Sequence, residues 1–233
     1  MAKSRKPPGC AISFANGKGG VGKTSLIANL SVRAAAGAHV GLLDYDGQQS
    51  LARWWELRSI ALGTCLNPRL WKDGEGAAVD VAALKQLGTD WIFQDVPPAT
   101  WHLIEDSVHA SDLVVVPVKA SPIDLEAVDP IIEVCTDLQK PFLFVLTQYD
   151  PRWSLSESAF PYLEAKAPGH TIQEVFSYRQ AYVGSMIGGA TGPEYAKDRR
   201  QAAEAAVEIE ALWLRIRRQA LAVVGKKEAA HHG

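Results

Sequence analysis

Short runs of almost wholly apolar residues recur along the chain at Cys10–Ala15, His39–Asp44 (HVGLLD), Trp91–Asp95 (WIFQD), Leu113–Val118 (LVVVPV) and Pro141–Leu146 (PFLFVL). A strand that is wet on one face alternates apolar and polar positions; runs apolar at every position suit parallel strands covered by helices on both faces. Between them lie stretches with apolar residues at helical spacing. These are Thr24–Ala36, stopped by Gly37; Ser50–Ile60, with Ser50 as its expected cap; Ala77–Leu87; and Ser121–Gln139, with Ser121 as N-cap and Pro122 at the first helical position. The alternation predicts an α/β fold, a doubly wound, mostly parallel sheet flanked by helices. After Leu146 the pattern changes. A helix is expected over Ser154–Ala167, followed by a stretch carrying Gly184, Gly188, Gly189 and Gly192 that suits either a mobile loop or a turn between helices. A long helix from about Pro193 to Val224 comes last.

Composition narrows the class. The 233 residues, 47% of them hydrophobic, suffice for a substantial core, and one domain over 1–233 is expected. Residues 1–9 read as a basic tail, 193–224 as the C-terminal helix and 225–233 as a disordered tail. No apolar run approaches the roughly 18 to 20 residues that span a bilayer, and the opening MAKSRKPPG has no apolar segment behind its basic residues, so a cytoplasmic protein is expected. Cys10, Cys65 and Cys135 form no C-x-x-C and read as three buried thiols.

The run Gly17-Lys18-Gly19-Gly20-Val21-Gly22-Lys23-Thr24 satisfies G-x-x-x-x-G-K-[ST] at every fixed position, and it lies between a predicted strand and a predicted helix. In such a loop the backbone N–H groups and the helix N-terminus face the phosphates, Lys23 reaches their β- and γ-oxygens, and the Thr24 hydroxyl is a ligand for Mg²⁺. Asp95 ends an apolar strand, where a carboxylate can hold a metal-bound water. Asp44 and Asp46 end another strand, and side-chain alternation puts both on one side of it. One lysine is all the motif requires, so Lys18 is surplus.

These residues carry a resemblance. Lys18 to Thr24 is similar to the deviant Walker A motif of the ParA/MinD ATPases, LLDYDGQQS (42–50) to their Walker A′, and FQDVPP (93–98) to their Walker B. VVVPVKASPIDLEAV (114–128) and LTQYDPRWSL (146–155) further resemble partition ATPases of the ParA type, a similarity that covers roughly residues 10 to 155. Gly47, where a proline is common, and Gly17, commoner in the MinD branch, depart from the ParA pattern. The resemblance implies a slow Mg²⁺-dependent ATPase with ATP and Mg²⁺ as cofactors. Gly17 to Ser25 and Pro98 would contact the nucleotide, and Thr147, Gln148 and Asp150 would lie near adenine. Thr24, Asp44 and Asp95 would serve the metal, with Asp44 in its outer shell, and Asp46 would orient the attacking water. Lys18 would reach across a dimer interface to the phosphates of the partner's ATP, so that the homodimer forms only with ATP. Thr147-Gln148-Tyr149-Asp150 also resembles a guanine-reading N/T-K-x-D element in which glutamine replaces the lysine, so guanine stays open beside adenine.

Net charge is −2, yet Lys197 to Lys227 holds eight basic against four acidic residues, a local +4. Arg199, Arg200, Arg215 and Arg218 are the candidates for sequence-independent DNA contact, with an ordinary solvated helix face as the plain alternative. On a helical wheel Arg215, Arg218 and Gln219 fall on one side and Ala205, Ile209, Leu212, Trp213, Ile216, Ala220 and Val223 on the other. The ParA-type reading implies a nucleoid-associated protein that positions or partitions DNA, plasmid or chromosome, or else positions a protein cargo on the nucleoid, with a centromere-binding or adaptor protein that stimulates hydrolysis. Two other readings stay open: a MinD-like ATPase using Leu212, Trp213, Leu214 and Ile216 on a membrane surface, and a metabolic ligase of related fold.

Overall fold

In the computed structural model residues 9–64, 67–72 and 74–231 are described; Cys65 and all but Gly9 of the tail expected at 1–9 lie outside them. The elements run β1 (Cys10–Phe14), α1 (Lys23–Ala35), β2 (Val40–Asp44), α2 (Ser50–Leu62), β3 (Arg69–Leu70), α3 (Ala77–Gln86), β4 (Trp91–Asp95), α4 (Trp101–Ala110) and β5 (Leu113–Lys119). Then come α5 (Pro122–Glu126), α6 (Asp129–Asp137), β6 (Phe142–Tyr149), α7 (Ser154–Lys166), β7 (Phe176–Ser177), α8 (Gln180–Ser185), α9 (Gly192–Tyr195) and α10 (Arg199–His231). Among the described residues the strands form one all-parallel sheet in the order β3-β2-β4-β1-β5-β6-β7.

Alternation along each strand divides the core. Leu113 and Val115 of β5 and Leu143 and Val145 of β6 join Leu26 and Leu30 of α1, Trp54 of α2 and Leu212, Trp213 and Ile216 of α10 on one face. Val114, Val116 and Val118, with Phe144 and Leu146, face Ile104 of α4, Ile131 and Cys135 of α6 and Leu163 of α7 on the other. Both faces are therefore covered, which is why these strands read as unbroken apolar runs. The Trp213 ring packs edge-on against Trp91 at 4.9 Å and Phe93 at 5.8 Å, fixing α10 across the centre of the sheet.

Several elements differ from the pattern. Ser50 is the first residue of α2; the cap is Gln49, whose φ of 50° makes the turn and whose side chain makes no capping bond. The expected helix over Ser121–Gln139 is broken into α5 and α6, with Pro130 inside the first turn of the second; Ser121 does cap α5, its hydroxyl accepting from Asp124 N at 3.2 Å. The expected helix at 193–224 is the one-turn α9 followed by α10, which starts at Arg199 and continues to His231 through much of the stretch read as a disordered tail. Val224, not Val223, is the last buried residue of its inner face. Cys10 and Cys135 are buried thiols.

The glycine-bearing stretch at 184–192 is a packed turn between helices. Gly189 has φ of +69°, and a Cβ there would collide with the backbone of Arg58. Trp54 Nε1 donates to Ala190 O at 2.8 Å, and Arg58 holds Gly189 O and the carboxylate of Glu194. Asn29 Oδ1 accepts from Gly192 N at 2.8 Å, tying the same turn to α1.

Candidate phosphate-binding site

The connections from β1 and β5 leave in opposite directions along the sheet, and a crevice opens where they part. The glycine loop between β1 and α1 occupies this point, and its shape is imposed by three neighbours. Asn16 is buried and works both ways: Nδ2 donates to Pro117 O at 2.8 Å, and Oδ1 accepts from Lys18 N at 2.9 Å. Thr147 Oγ1 donates to Val21 O at 2.7 Å, and Gln148 Nε2 donates to Gly20 O at 3.0 Å. On the third side the Trp101 ring lies against Gly17, where a Cβ would sit only 2.9 Å from Cζ2.

A cavity of about 410 Å³ opens over the loop, lined by Gly19, Gly20, Gly22, Lys23, Thr24, Ser25, Asp46, Pro98 and Met186. Lys23 is buried, and its Nζ rests on Lys18 O at 3.2 Å and Asn16 O at 3.5 Å. Burial pulls its pKa down, against the upward pull of Asp95 and Asp46. Beneath Thr24 lies Asp95, fully buried, its Oδ2 accepting from Thr24 Oγ1 at 2.6 Å. Burial pushes the Asp95 carboxyl up to about 7; the Thr24 hydroxyl and Lys23 oppose the rise, and Asp44 and Asp46 add to it.

The second oxygen of Asp95 is buried and has no hydrogen-bond partner. An unmatched carboxylate oxygen beside a hydroxyl is a hard-oxygen donor set of the kind Mg²⁺ takes. Among the described residues no group of three or more His, Cys, Asp or Glu could hold a metal by itself. A cation here would therefore complete its coordination with water and ligand phosphates, as Mg²⁺ does at nucleotide sites.

The two carboxylates that end β2 part company. Asp46 lines the phosphate cavity, its Oδ1 accepting from Gln48 N at 3.0 Å. Asp44 instead accepts from Asp46 N at 3.1 Å and Ala52 N at 2.9 Å, so its carboxylate braces the turn into α2; it lines a neighbouring cavity of about 450 Å³ with Tyr45, Trp71 and Asp80. Burial raises its pKa, and the backbone bonds oppose that rise.

Among the positions expected near a base, Thr147 and Gln148 face the outer wall of the glycine loop. Both Asp150 oxygens are taken by Arg152, whose guanidinium holds the carboxyl down at about 2. Arg215 is half-buried, whereas Arg199, Arg200 and Arg218 are exposed on α10. Arg200 pairs with Glu204, which also takes Arg179. Pattern reading missed Asn16, Trp101 and Met186. Asn16 directly precedes the motif, and a buried polar residue ending an apolar strand was the available signal; nothing local marks the other two.

Three non-glycine residues in the segments around the loop have left-handed backbone: Gln49, the cap of α2, at φ 50°, Ala99, after Pro98, at 56°, and Gln148, next to last in β6, at 50°. Conformations of this kind cost about 1 kcal/mol or more apiece and concentrate where chemistry is done.

The profile of the CobQ/CobB/MinD/ParA nucleotide binding domain matches residues 12–182. Maintenance of carboxysome distribution protein A of Gloeobacter kilaueensis is 33% identical over 154 residues, which is 63% of this chain and 66%, just under two thirds, of that protein. Chromosome-partitioning ATPase Soj of Thermus thermophilus is 29% identical over 198 residues, 71% of this chain and 78% of its own. In fold, an ATP complex of a Cyanothece McdA variant superposes with a TM-score of 0.66 at 18% identity, covering 88% of this chain and 97% of the other. With the matched segment running from β1 through the glycine loop, the two β2 carboxylates and Asp95 into α8, the chain belongs to the CobQ/CobB/MinD/ParA nucleotide-binding family.

Proposed function

We propose that this chain is a slow Mg²⁺-dependent ATP hydrolase that dimerises on ATP and positions a large cargo, plasmid or chromosomal DNA first among the candidates. The observation that carries this reading is the convergence of Lys23, Thr24 and Asp46 on one cavity above the buried Asp95. Relatives named for carboxysome distribution and chromosome partitioning support a positioning role over small-molecule chemistry.

In this reading the loop N–H groups from Gly17 to Ser25 and the Lys23 ammonium hold the β- and γ-phosphates. Thr24 would be a ligand for Mg²⁺ and Asp95 would hold a water on it; the ion would supply charge neutralisation to the phosphates when bound. Asp44 keeps the turn that presents Asp46, and Asp46 orients the water for in-line attack. Lys18 makes no ion pair among the described residues and so has a charge to offer a second subunit's nucleotide. Pro98 closes the loop side of the cavity, 3.7 Å from the position of a Cβ on Gly19. Arg199, Arg200, Arg215 and Arg218 supply phosphate contacts for DNA of any sequence, and an adaptor protein triggers hydrolysis.

Of the four residues the membrane reading uses, Leu212, Trp213 and Ile216 are buried in the core and Leu214 is exposed, which favours the DNA reading. No described helix is long and apolar enough to cross a membrane. Co-sedimentation with DNA and with anionic vesicles, each with ATP and with ADP, tests the proposal. ATP-dependent pelleting with DNA is the expected result; pelleting with vesicles alone would overturn it. Lys18→Ala is expected to bind ATP yet stay monomeric in light scattering, and an unchanged ATP-dependent dimer would remove the role given to Lys18.

A further inference from the structure

A third lysine stands at the phosphate loop. Lys119 is the last residue of β5, the strand across the crevice from β1, in register with Thr147 of β6. Its Nζ lies 3.9 Å from where a Cβ on Gly20 would be, and Gly20 lines the phosphate cavity. The half-buried side chain thus reaches the loop at Gly20 from the β5 side, whereas β2 and β4, which end in Asp44 and Asp95, lie on the other side of β1.

An ammonium in such a place ordinarily finds a carboxylate. Asp124, five residues on in α5, accepts instead from the Ser121 hydroxyl at 2.5 Å. Lys119 itself makes no ion pair among the described residues. Its backbone is fixed, since Lys119 O accepts from Ser121 N at 2.8 Å as the chain turns into α5. A cation anchored at its root and without an ion pair at its tip adds to the positive charge that Lys18 and Lys23 bring to the same loop. The ligand that matches it is a chain of phosphates.

We infer that Lys119 is a third cation of the phosphate site, contacting the phosphate chain of the bound nucleotide from the β5 side within its own subunit. This rests on the nucleotide reading above. It differs from the role given to Lys18, which acts on the partner's nucleotide, and from that of Lys23, which lies under the loop.

The test measures affinity for fluorescent ATP and ADP by titration in the Lys18→Ala background, where the chain is expected to remain monomeric and only own-subunit contacts count. Lys119→Gln should weaken binding about tenfold, the lower end for a charge-assisted contact because the side chain is partly exposed. The loss should shrink as salt is raised, and Lys119→Arg should restore most of it. Loss for ATP alone would place the contact at the γ-phosphate, and loss for both nucleotides nearer the α- and β-phosphates; either supports the inference. Unchanged affinity for both nucleotides, or an equal loss with Lys119→Arg, would overturn it. Lys23→Ala in the same titration separates the two readings: if it binds as tightly as its parent, the phosphate-site reading itself falls. If Lys23→Ala loses nucleotide and Lys119→Gln does not, only the inference falls. Thermal melts of each variant confirm that the fold is intact.

Discussion

Arg58 lines neither cavity, and the turn at 184–192 depends on it. Its guanidinium gives Nη1 to Gly189 O at 3.0 Å and to Glu194 Oε2 at 2.8 Å, gives Nη2 to Glu194 Oε1 at 2.9 Å, and sits 5.7 Å from the Trp54 ring centroid. Arg58 is 9% exposed at the side chain, Glu194 45%. Removing one partner of a fully buried pair costs about 3–5 kcal/mol. Water can replace the guanidinium on the open side of Glu194 but not at Trp54, so Arg58→Ala is expected to cost about 2–3 kcal/mol. Glu194 keeps its bond from Thr191 N at 2.8 Å, so Glu194→Ala also removes the capping box of α9. Urea unfolding of Arg58→Ala, Glu194→Ala and the double variant isolates the pair, with a coupling of about 1–2 kcal/mol expected. A coupling within about 0.3 kcal/mol of zero would refute the idea that this pair, rather than packing alone, holds the turn to α2.

Asp46→Ala should bind nucleotide and Mg²⁺ as the parent does, since Lys23 and Thr24 are untouched, while single-turnover hydrolysis falls by about 10²-fold or more; an unchanged rate would transfer the water-orienting role to another group. Asp112 accepts from Ala11 N, Lys85 and Lys227, and although burial pushes its carboxyl up, the Lys227 and Ala11 bonds and the lysine charges hold it below the usual range. A carboxyl so depressed adds stability above its unfolded pKa of about 3.9 and loses it as pH falls through the lower folded value. The stability gap between the parent and Asp112→Asn should therefore be constant near neutrality and close below about pH 4, as followed by urea midpoints. For DNA, Arg218→Gln should lower the slope of log K against log salt by about 0.9 per subunit, with a smaller change for Arg200→Gln because Arg200 already pairs with Glu204. An unchanged slope for charge removal at Arg199, Arg200, Arg215 and Arg218 together would move the DNA surface elsewhere.

The buried centre of the fold was legible because β1, β2, β4, β5 and β6 are covered on both faces and so are written as unbroken apolar runs. The loop from Gly17 to Thr24 was legible because its spacing is fixed by backbone geometry. β3 and β7, at two residues each, carry too little pattern to register, and the break between α5 and α6 turns on where one proline falls. α4 went unread because its apolar positions follow Pro97, Pro98 and a left-handed Ala99, which look like the start of a loop. The separate surroundings of Asp44 and Asp46 were also hidden: alternation puts both on one side of a strand, but β2 ends at Asp44, and the turn beyond it sends the two carboxylates into different cavities. Contacts such as Arg58 with Glu194, 136 positions apart, or the approach of Lys119 to Gly20, about a hundred apart, are encoded by no local period.

The packing of Trp101 on Gly17 has a practical side. Trp54, Trp91 and Trp213 are shut inside the core, Trp153 stands in solvent, and Trp55 and Trp71 donate from Nε1 to Pro68 O and Asp80 away from the glycine loop, but the Trp101 indole rests on the first residue of that loop. The protein therefore carries a native fluorophore at its most informative point. Rearrangement of that loop alters the surroundings of this ring, so its emission offers an unlabelled optical readout of the site, with Trp101→Phe as the blank.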